Sequence, residues 1–235
     1  MKSEEHDVFK KWGGLLNELQ TGDTPTLNRF AARYKLSRKF KGLDANLSVN
    51  TLRGYSTIFH VFLAYSAFES LVKGADELKK RSVNPLFVDL AFDKHNHPMI
   101  EEKLASDLRK IKGLAEILIE YADRPTRIVR LKEFFRKSYS EVDQSNENLM
   151  KERGKFLNED NLLVVASAIR NVVAHGQLSA TGANAISKKN AETLDRLARF
   201  VEEKAMELFQ KYVDALWEKY VPLKQFSSVP KISAV

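Results

Sequence analysis

The 235-residue sequence contains no cysteine, which excludes disulfide bonds, thiolate metal sites and cysteine nucleophiles together. Glycine and proline are also scarce, with 10 and 6 residues, so strong turn signals are few. Stretches that alternate polar and β-branched residues are rare. Almost every long segment instead repeats apolar residues at intervals of three and four, and this periodicity predicts an all-α protein.

The sequence has no apolar run long enough for a membrane-spanning helix. Its longest runs, residues 58–68 and 162–169, fall short of the roughly 18–20 apolar residues that a bilayer requires. The N-terminal residues include no apolar core of a secretory signal. We therefore expect a cytoplasmic globular protein without a membrane partner. Its 43% hydrophobic and 29% charged residues are ordinary for that class.

Positive charge is in moderate excess, because the formal net charge is +7 at pH 7. The densest basic stretch contains no acidic residue, and its candidate RNA-binding side chains are Arg29, Arg33, Arg38, Lys39 and Lys41. Basic side chains that neutralise phosphates release counterions and so favour binding to nucleic acid. Two interpretations remain open for this stretch, a solvated connector and an arm that contacts RNA phosphates.

The periodicity also predicts how the chain is organised. Residues 1–50 are predicted to form an N-terminal helical extension that carries the basic arm, and residues 51–221 a helical bundle. The helices predicted within the bundle cover residues 51–74, 99–121, 126–139, 159–175 and 188–220. Pro222 is predicted to stop the last helix, which leaves residues 222–235 as a C-terminal tail.

Glu69 lies on the apolar side of the predicted helix over residues 51–74, because Phe62 and Tyr65 precede it by seven and four positions. A carboxylate in apolar surroundings needs a cation or hydrogen-bond donors. Lys73, four residues later on the same helix, is one candidate partner, and Arg170 is the other. If Arg170 is the partner, Glu69 supports whatever site includes Arg170.

The only paired histidines in the sequence, His95 and His97, lie in the polar segment DKHNHP. Two histidines at this spacing can bind a metal ion. No third imidazole lies nearby in the sequence, however, and the chain has no thiol. The sequence therefore predicts a polar loop here, with no metal site and no cofactor.

Residues 161–179 read NLLVVASAIRNVVAHGQLS and combine an apolar helix with a polar end. Apolar residues nearly encircle this predicted helix, so it should be central to the fold. Gly176 is suited to end it in the left-handed conformation. Asn171 and His175 are four residues apart and share one face, whereas Arg170 is offset from Asn171 by about 100°. Because His175 belongs to an adjustable last turn, the three side chains can line one cleft.

Arg170, Asn171 and His175 are the residue types that metal-free cleavage of RNA needs. The 2′-hydroxyl of RNA is the nucleophile, so the reaction requires a proton acceptor, a proton donor and a cation beside the phosphorane. Histidine, with a reference pKa of about 6.5, can accept or donate the proton, and arginine is a fixed cation that binds phosphate in a bidentate manner. A symmetric dimer would supply two copies of each residue to a shared groove.

A simpler interpretation needs no chemistry. Arg170 and His175 at the C-terminal end of a helix interact favourably with the helix dipole, since cations are stabilised there. On this interpretation the segment is a core helix with a cationic cap, and the protein is a structural bundle or one that binds a partner.

The sequence RNVVAHG, residues 170–176, resembles the R-x4–6-H signature of the HEPN superfamily, in which a polar residue commonly follows the arginine. The position of the motif before a loop and a final long helix is similar as well. The aromatic-rich segment FLAYSAFESLVKG also resembles an early core helix of such domains. The resemblance covers about residues 51–220 and implies a HEPN-like helical bundle with additional N-terminal helices, commonly a homodimer.

Many HEPN proteins are metal-independent endoribonucleases in toxin–antitoxin or antiphage defence, so the resemblance implies such an activity and an antitoxin or regulatory partner. Arg170, Asn171 and His175 would then be the catalytic residues. One departure limits the comparison. HEPN toxins paired with nucleotidyltransferase-type antitoxins often carry a tyrosine two residues after the histidine, where this sequence has Gln177. A HEPN-like module that binds RNA, a nucleotide or a protein without turnover is the alternative.

Overall fold

The computed structural model of the protein describes residues 3–19, 25–81, 101–135 and 161–227. These residues form helices and no strand, which confirms the predicted all-α class. The helices of the described residues are α1 (Ser3–Leu19), α2 (Pro25–Lys39), α3 (Val49–Arg81), α4 (Glu102–Arg109), α5 (Lys112–Glu120), α6 (Pro125–Phe135), α7 (Leu162–Ala174) and α8 (Lys188–Ser227). None of these helices is both long and apolar enough to cross a membrane.

The long helix α3 is the centre of the bundle and packs against α2, α7 and α8. Its buried stripe includes Ile58, Val61, Ala64, Phe68 and Leu71, each at most 2% exposed. These positions repeat at intervals of three and four, so the apolar periodicity of the sequence directly places the inward face of α3. The same stripe brings Glu69, next to Phe68, to the edge of the core.

The N-terminal helices share this core. Trp12 of α1 and Phe30 and Tyr34 of α2 are nearly fully buried, and the ring of Phe30 lies 4.8 Å from that of Phe209 in α8. Aromatic contacts of this kind add to the stabilisation that burial provides. Within the predicted extension over residues 1–50, helices α1 and α2 therefore pack onto α8 and α3 as part of one hydrophobic cluster.

The single helix predicted over residues 99–121 is wrong, because α4 and α5 are separate helices. Ile111 between them has φ −87° and ψ 79°, outside the helical region. Gly113 then passes so close to the Gly182 carbonyl that a Cβ atom would lie 2.5 Å from its oxygen. Apolar periodicity hides the break, because Leu108 and Leu114 on either side are both fully buried.

The prediction that Pro222 ends the last helix is also wrong, because α8 continues to Ser227. Proline removes one backbone donor and crowds the carbonyl four residues earlier, and a long helix can absorb this locally without ending. The predicted tail therefore begins as helix. Residues 228–235 lie outside the described part of the chain.

Candidate functional site

Helix α7 is fixed at both ends by hydrogen bonds. At its start, the Asn161 side chain accepts from the Leu163 N–H at 3.0 Å. At its end, Gly176 adopts φ +68°, and the Gln177 N–H donates to the Val172 carbonyl at 3.0 Å. This is the hydrogen bond of a Schellman motif, so the predicted role of Gly176 as the terminating glycine is confirmed.

Arg170 is held in place by Glu69. Arg170 Nη2 donates to Glu69 Oε2 at 2.9 Å, while Lys73 Nζ lies 3.2 Å from Glu69 Oε1. Glu69 therefore binds both candidate partners, one with each carboxylate oxygen. Arg170 Nη1 also donates to Asn171 Oδ1 at 3.1 Å. Two helices thus orient a guanidinium whose side chain is still 31% exposed.

Arg170 and Asn171 line a cleft of about 380 Å³ between α3, the start of α6 and α7, which we call the arginine cleft. The charged residues that line it are four arginines and two carboxylates: Arg124, Arg127, Arg130, Arg170, Glu69 and Asp123. Polar and aromatic residues that line it include Tyr65, Phe68, Thr126, Ser167 and Asn171. The lining therefore carries an excess of positive charge.

The two carboxylates of the arginine cleft are already engaged. Glu69 binds Arg170 and Lys73, and Asp123 accepts a hydrogen bond from Arg127. Burial lowers the pKa of Arg127, and the nearby positive charge of Arg170 lowers it further. Burial is the larger of these two causes, and both guanidinium groups line the same cleft.

Tyr65 contributes a buried hydroxyl to the same wall. Burial raises its pKa, a hydrogen bond with Ser167 opposes this shift, and the negative charge of Glu69 reinforces it. Tyr65 is therefore a neutral phenol beside Arg170. The sequence placed Tyr65 on the buried stripe but gave no sign that its hydroxyl would face a polar cleft.

His175 caps the C-terminal end of α7 and is exposed. It is not among the residues that line the arginine cleft. Within one chain the structure therefore brings Glu69, Arg170 and Asn171 together and leaves His175 outside the lining of the cleft.

The basic stretch runs from α2 into the loop that follows, and most of its candidate side chains are exposed. The exposed ones are Arg29, Arg33, Lys39 and Lys41. Arg33 Nη1 donates to the Ser70 hydroxyl at 2.6 Å. Arg38 is engaged more fully and has two acidic partners.

Arg38 belongs to a cluster that we call the buried network. Its guanidinium lies 3.1 Å from Glu5 of α1 and 3.3 Å from Glu202 of α8. The hydroxyls of Tyr34 and Ser37 donate to these same two carboxylates. The side chain of Glu202 is only 1% exposed, so its charge depends entirely on these partners.

His60 of α3 completes the buried network. Its Nδ1 lies 2.8 Å from Asp195 and its Nε2 lies 3.0 Å from Glu202. Burial opposes the charge on the ring, but hydrogen bonds and charges of Asp195 and Glu202 outweigh burial and raise the pKa of His60 to about 9. His60 is therefore a cation at neutral pH, and both ring N–H groups donate. The sequence gave no signal for this role.

Among the described residues there is no group of three or more histidine and acidic side chains arranged to hold a metal ion. His95 and His97, which the sequence places in a polar loop without a metal, lie outside that part of the chain.

No family model, characterised protein or solved structure matches this chain. The resemblance to the HEPN superfamily therefore stays a prediction, and the functional argument depends on the motif and on the geometry of the arginine cleft.

Proposed function

We propose that this protein is a metal-independent endoribonuclease that cleaves single-stranded RNA at a groove shared by two copies of the chain. The observation that carries the proposal is the orientation of Arg170 by Glu69 and Asn171 in a cleft with excess positive charge. A fixed guanidinium in such a cleft is suited to bind the phosphate and stabilise charge that develops on it.

In the proposed reaction, the 2′-oxygen attacks the adjacent phosphorus as its proton passes to a base. The P–O5′ bond breaks, and the 5′-oxygen receives a proton from an acid. Histidine can perform either step, so the His175 residues of two copies would supply the base and the acid. Arg170 would bind the phosphate oxygens, and Asn171 would donate hydrogen bonds from its amide.

A second copy is part of the proposal because His175 is exposed at the end of the helix that carries Arg170. An exposed capping position lets two α7 ends approach each other across a twofold axis. The resulting homodimer would have one composite site, with Arg170 and His175 from each chain. We further propose a cytoplasmic setting and control by an antitoxin or another regulatory protein.

The test is cleavage of a labelled single-stranded RNA in EDTA by wild type, His175→Ala and Arg170→Ala. Wild type should yield fragments with 2′,3′-cyclic phosphate ends, and both variants should lose at least about a hundredfold in rate, in line with the general acid–base contribution. His6→Ala, at an exposed position of α1, is the matched control and should cleave like wild type. Equal persistence of the RNA with wild type and His175→Ala would sink the proposal.

A non-catalytic module that binds RNA, a nucleotide or a protein partner is the second candidate, and a specific observation favours it. His175 does not line the arginine cleft, and Arg170 and Asn171 can bind a phosphate without turnover. This candidate predicts saturable, salt-sensitive RNA binding with no product in the same assay.

A further inference from the structure

One wall of the arginine cleft is built by residues outside the R-x4-H motif. Arg124 directly precedes α6, and Arg127 and Arg130 follow on the helix at spacings of three, so the three side chains lie on one side and line the cleft together. Packing of α6 against α7 places them beside Arg170, although they are about 40 to 46 residues away in sequence.

Each carboxylate among the described residues that line the cleft is shared by two cations. Asp123 is the lining carboxylate on the α6 side, and it faces both Arg127 and Arg124, whose Nε lies 3.7 Å away. Glu69 is shared by Arg170 and Lys73. A further anion in the cleft would therefore give Arg124, Arg127 and Arg170 a partner that the shared carboxylates supply only in part, and a phosphate group carries the required charge with the geometry that guanidinium groups prefer.

The exposed fractions of the Arg124 and Arg127 side chains indicate different roles for them. Arg124 is 74% exposed, whereas Arg127 is 20% exposed and fixed by Asp123. Arg124 can therefore reach an RNA backbone that enters the cleft, and Arg127 offers a preorganised phosphate contact deeper inside. A volume of about 380 Å³ is near the lower end of small-ligand sites and fits about one nucleotide of a single strand.

We infer that Arg124 and Arg127, which we call the α6 arginines, form the phosphate-binding wall for single-stranded RNA, rather than the basic residues of α2. This inference rests on the proposed function, because it assigns the substrate contacts of the same cleft. Arg38 of α2 is ion-paired within the fold, and Arg33, although exposed, is hydrogen-bonded to Ser70, so two of the five candidate cations of this stretch already have partners in the protein.

The experiment measures binding of a 2′-O-methyl oligoribonucleotide, which cannot be cleaved, by fluorescence anisotropy in EDTA at several salt concentrations. The α6 double variant is Arg124→Gln with Arg127→Gln. The matched control is Arg29→Gln with Lys39→Gln, which removes the same charge from exposed positions of α2. Arg124→Gln alone is added because its exposed side chain can be replaced without disturbing the fold.

The α6 double variant should bind about tenfold more weakly or worse. For this variant, the slope of the log association constant against log salt concentration should be shallower by about 1.4, since each phosphate contact to a single strand contributes about 0.7. Arg124→Gln alone should show about half of that change in slope. The α2 control should stay within about twofold of wild type, because it retains the cleft.

Several outcomes overturn the inference. These are equal or greater weakening by the α2 control, wild-type affinity in the α6 variants, or an acidic peptide that competes as well as RNA of equal charge. Inorganic phosphate that displaces the oligonucleotide at equal charge concentration would show that the cleft binds an isolated anion rather than the polymer. Binding that follows the prediction while unmodified RNA stays intact contradicts the proposed catalysis alone.

Discussion

The buried network and the arginine cleft contain the same residue types but differ in how their positive charge is matched. In the buried network, Arg38 and His60 are matched by Glu5, Asp195 and Glu202, so its positive charge is neutralised inside the fold. In the arginine cleft, four arginines meet two carboxylates and face solvent. A basic side chain therefore favours binding of a ligand more where it lines a solvent-facing cleft than where carboxylates bind it inside the fold.

The largest effect expected on stability concerns the buried network. Glu202→Gln removes the charge that Arg38 and His60 share, at a side chain that is 1% exposed. Breaking a buried ion pair by removing one partner costs about 3–5 kcal/mol, so the free energy of unfolding should fall by about that amount. Chemical denaturation measures it. A loss below about 1 kcal/mol would mean that the network is as weak as a surface ion pair.

The second effect is a pH dependence that only the buried network should show. The folded-state pKa of His60 is raised from 6.5 to about 9, so its contribution is complete below the unfolded value and is lost as pH rises through about 9. The free energy of unfolding should therefore fall by roughly 3 kcal/mol across this window. His60→Gln should be less stable at pH 6.5 and should show a flatter profile. Parallel profiles for the two proteins would contradict the assignment.

These two regions also show what the sequence could predict. The all-α class, the buried stripe of α3 and the Gly176 terminus follow from apolar spacing and glycine conformation, both of which are local. The contact between Glu69 and Arg170 was one of two alternatives, and both partners bind. The sequence could not decide between Arg170 and Lys73 as the partner of Glu69, because the packing of α3 against α7 is not local.

The remaining features were hidden for the same reason. His60 lies on an apolar helix, and its partners Asp195 and Glu202 follow more than 130 residues later. In the sequence, the α6 arginines have the composition of a solvent-exposed helix face, and only the packing of α6 against α7 places them in a cleft. The charge pattern along one helix is a poor guide to whether its charged side chains are exposed when another helix supplies their counter-ions.

A third, smaller effect tests the end of α7, which carries the candidate site. Gly176→Ala places a side chain at φ +68°, where no atom lies within 4 Å of the new Cβ, so the cost is one of backbone conformation. Stability should fall by about 1 kcal/mol. Gly13→Ala in α1 is the matched control, since its Cβ also meets no atom within 4 Å. Because Gly13 is helical, this change should instead stabilise by up to about 1 kcal/mol. Thermal unfolding that ranks the two variants the other way would refute the assigned helix end.

The smallest effect on stability belongs to Glu69→Gln in the arginine cleft. Its carboxylate is 26% exposed, so its ion pairs should contribute no more than about 1 kcal/mol to the free energy of unfolding. RNA cleavage should nevertheless fall at least about tenfold, nearly as far as in Arg170→Ala, because Arg170 loses the group that orients it. The pair of measurements, a melt and a cleavage rate, separates orientation from stability. Activity close to wild type would assign Glu69 to Lys73 alone.

The central claim is that the end of α7 forms half of a site that a second copy completes. The absence of cysteine allows a direct measurement, because His175→Cys introduces a unique thiol. Two thiols join only when their Cα atoms approach within about 7 Å, and short bifunctional thiol reagents extend that reach. His6→Cys, at an exposed position of α1, is the control. The account predicts that His175→Cys forms a covalent dimer while His6→Cys does not. A monomeric His175→Cys protein, or equal cross-linking of both variants, would contradict it.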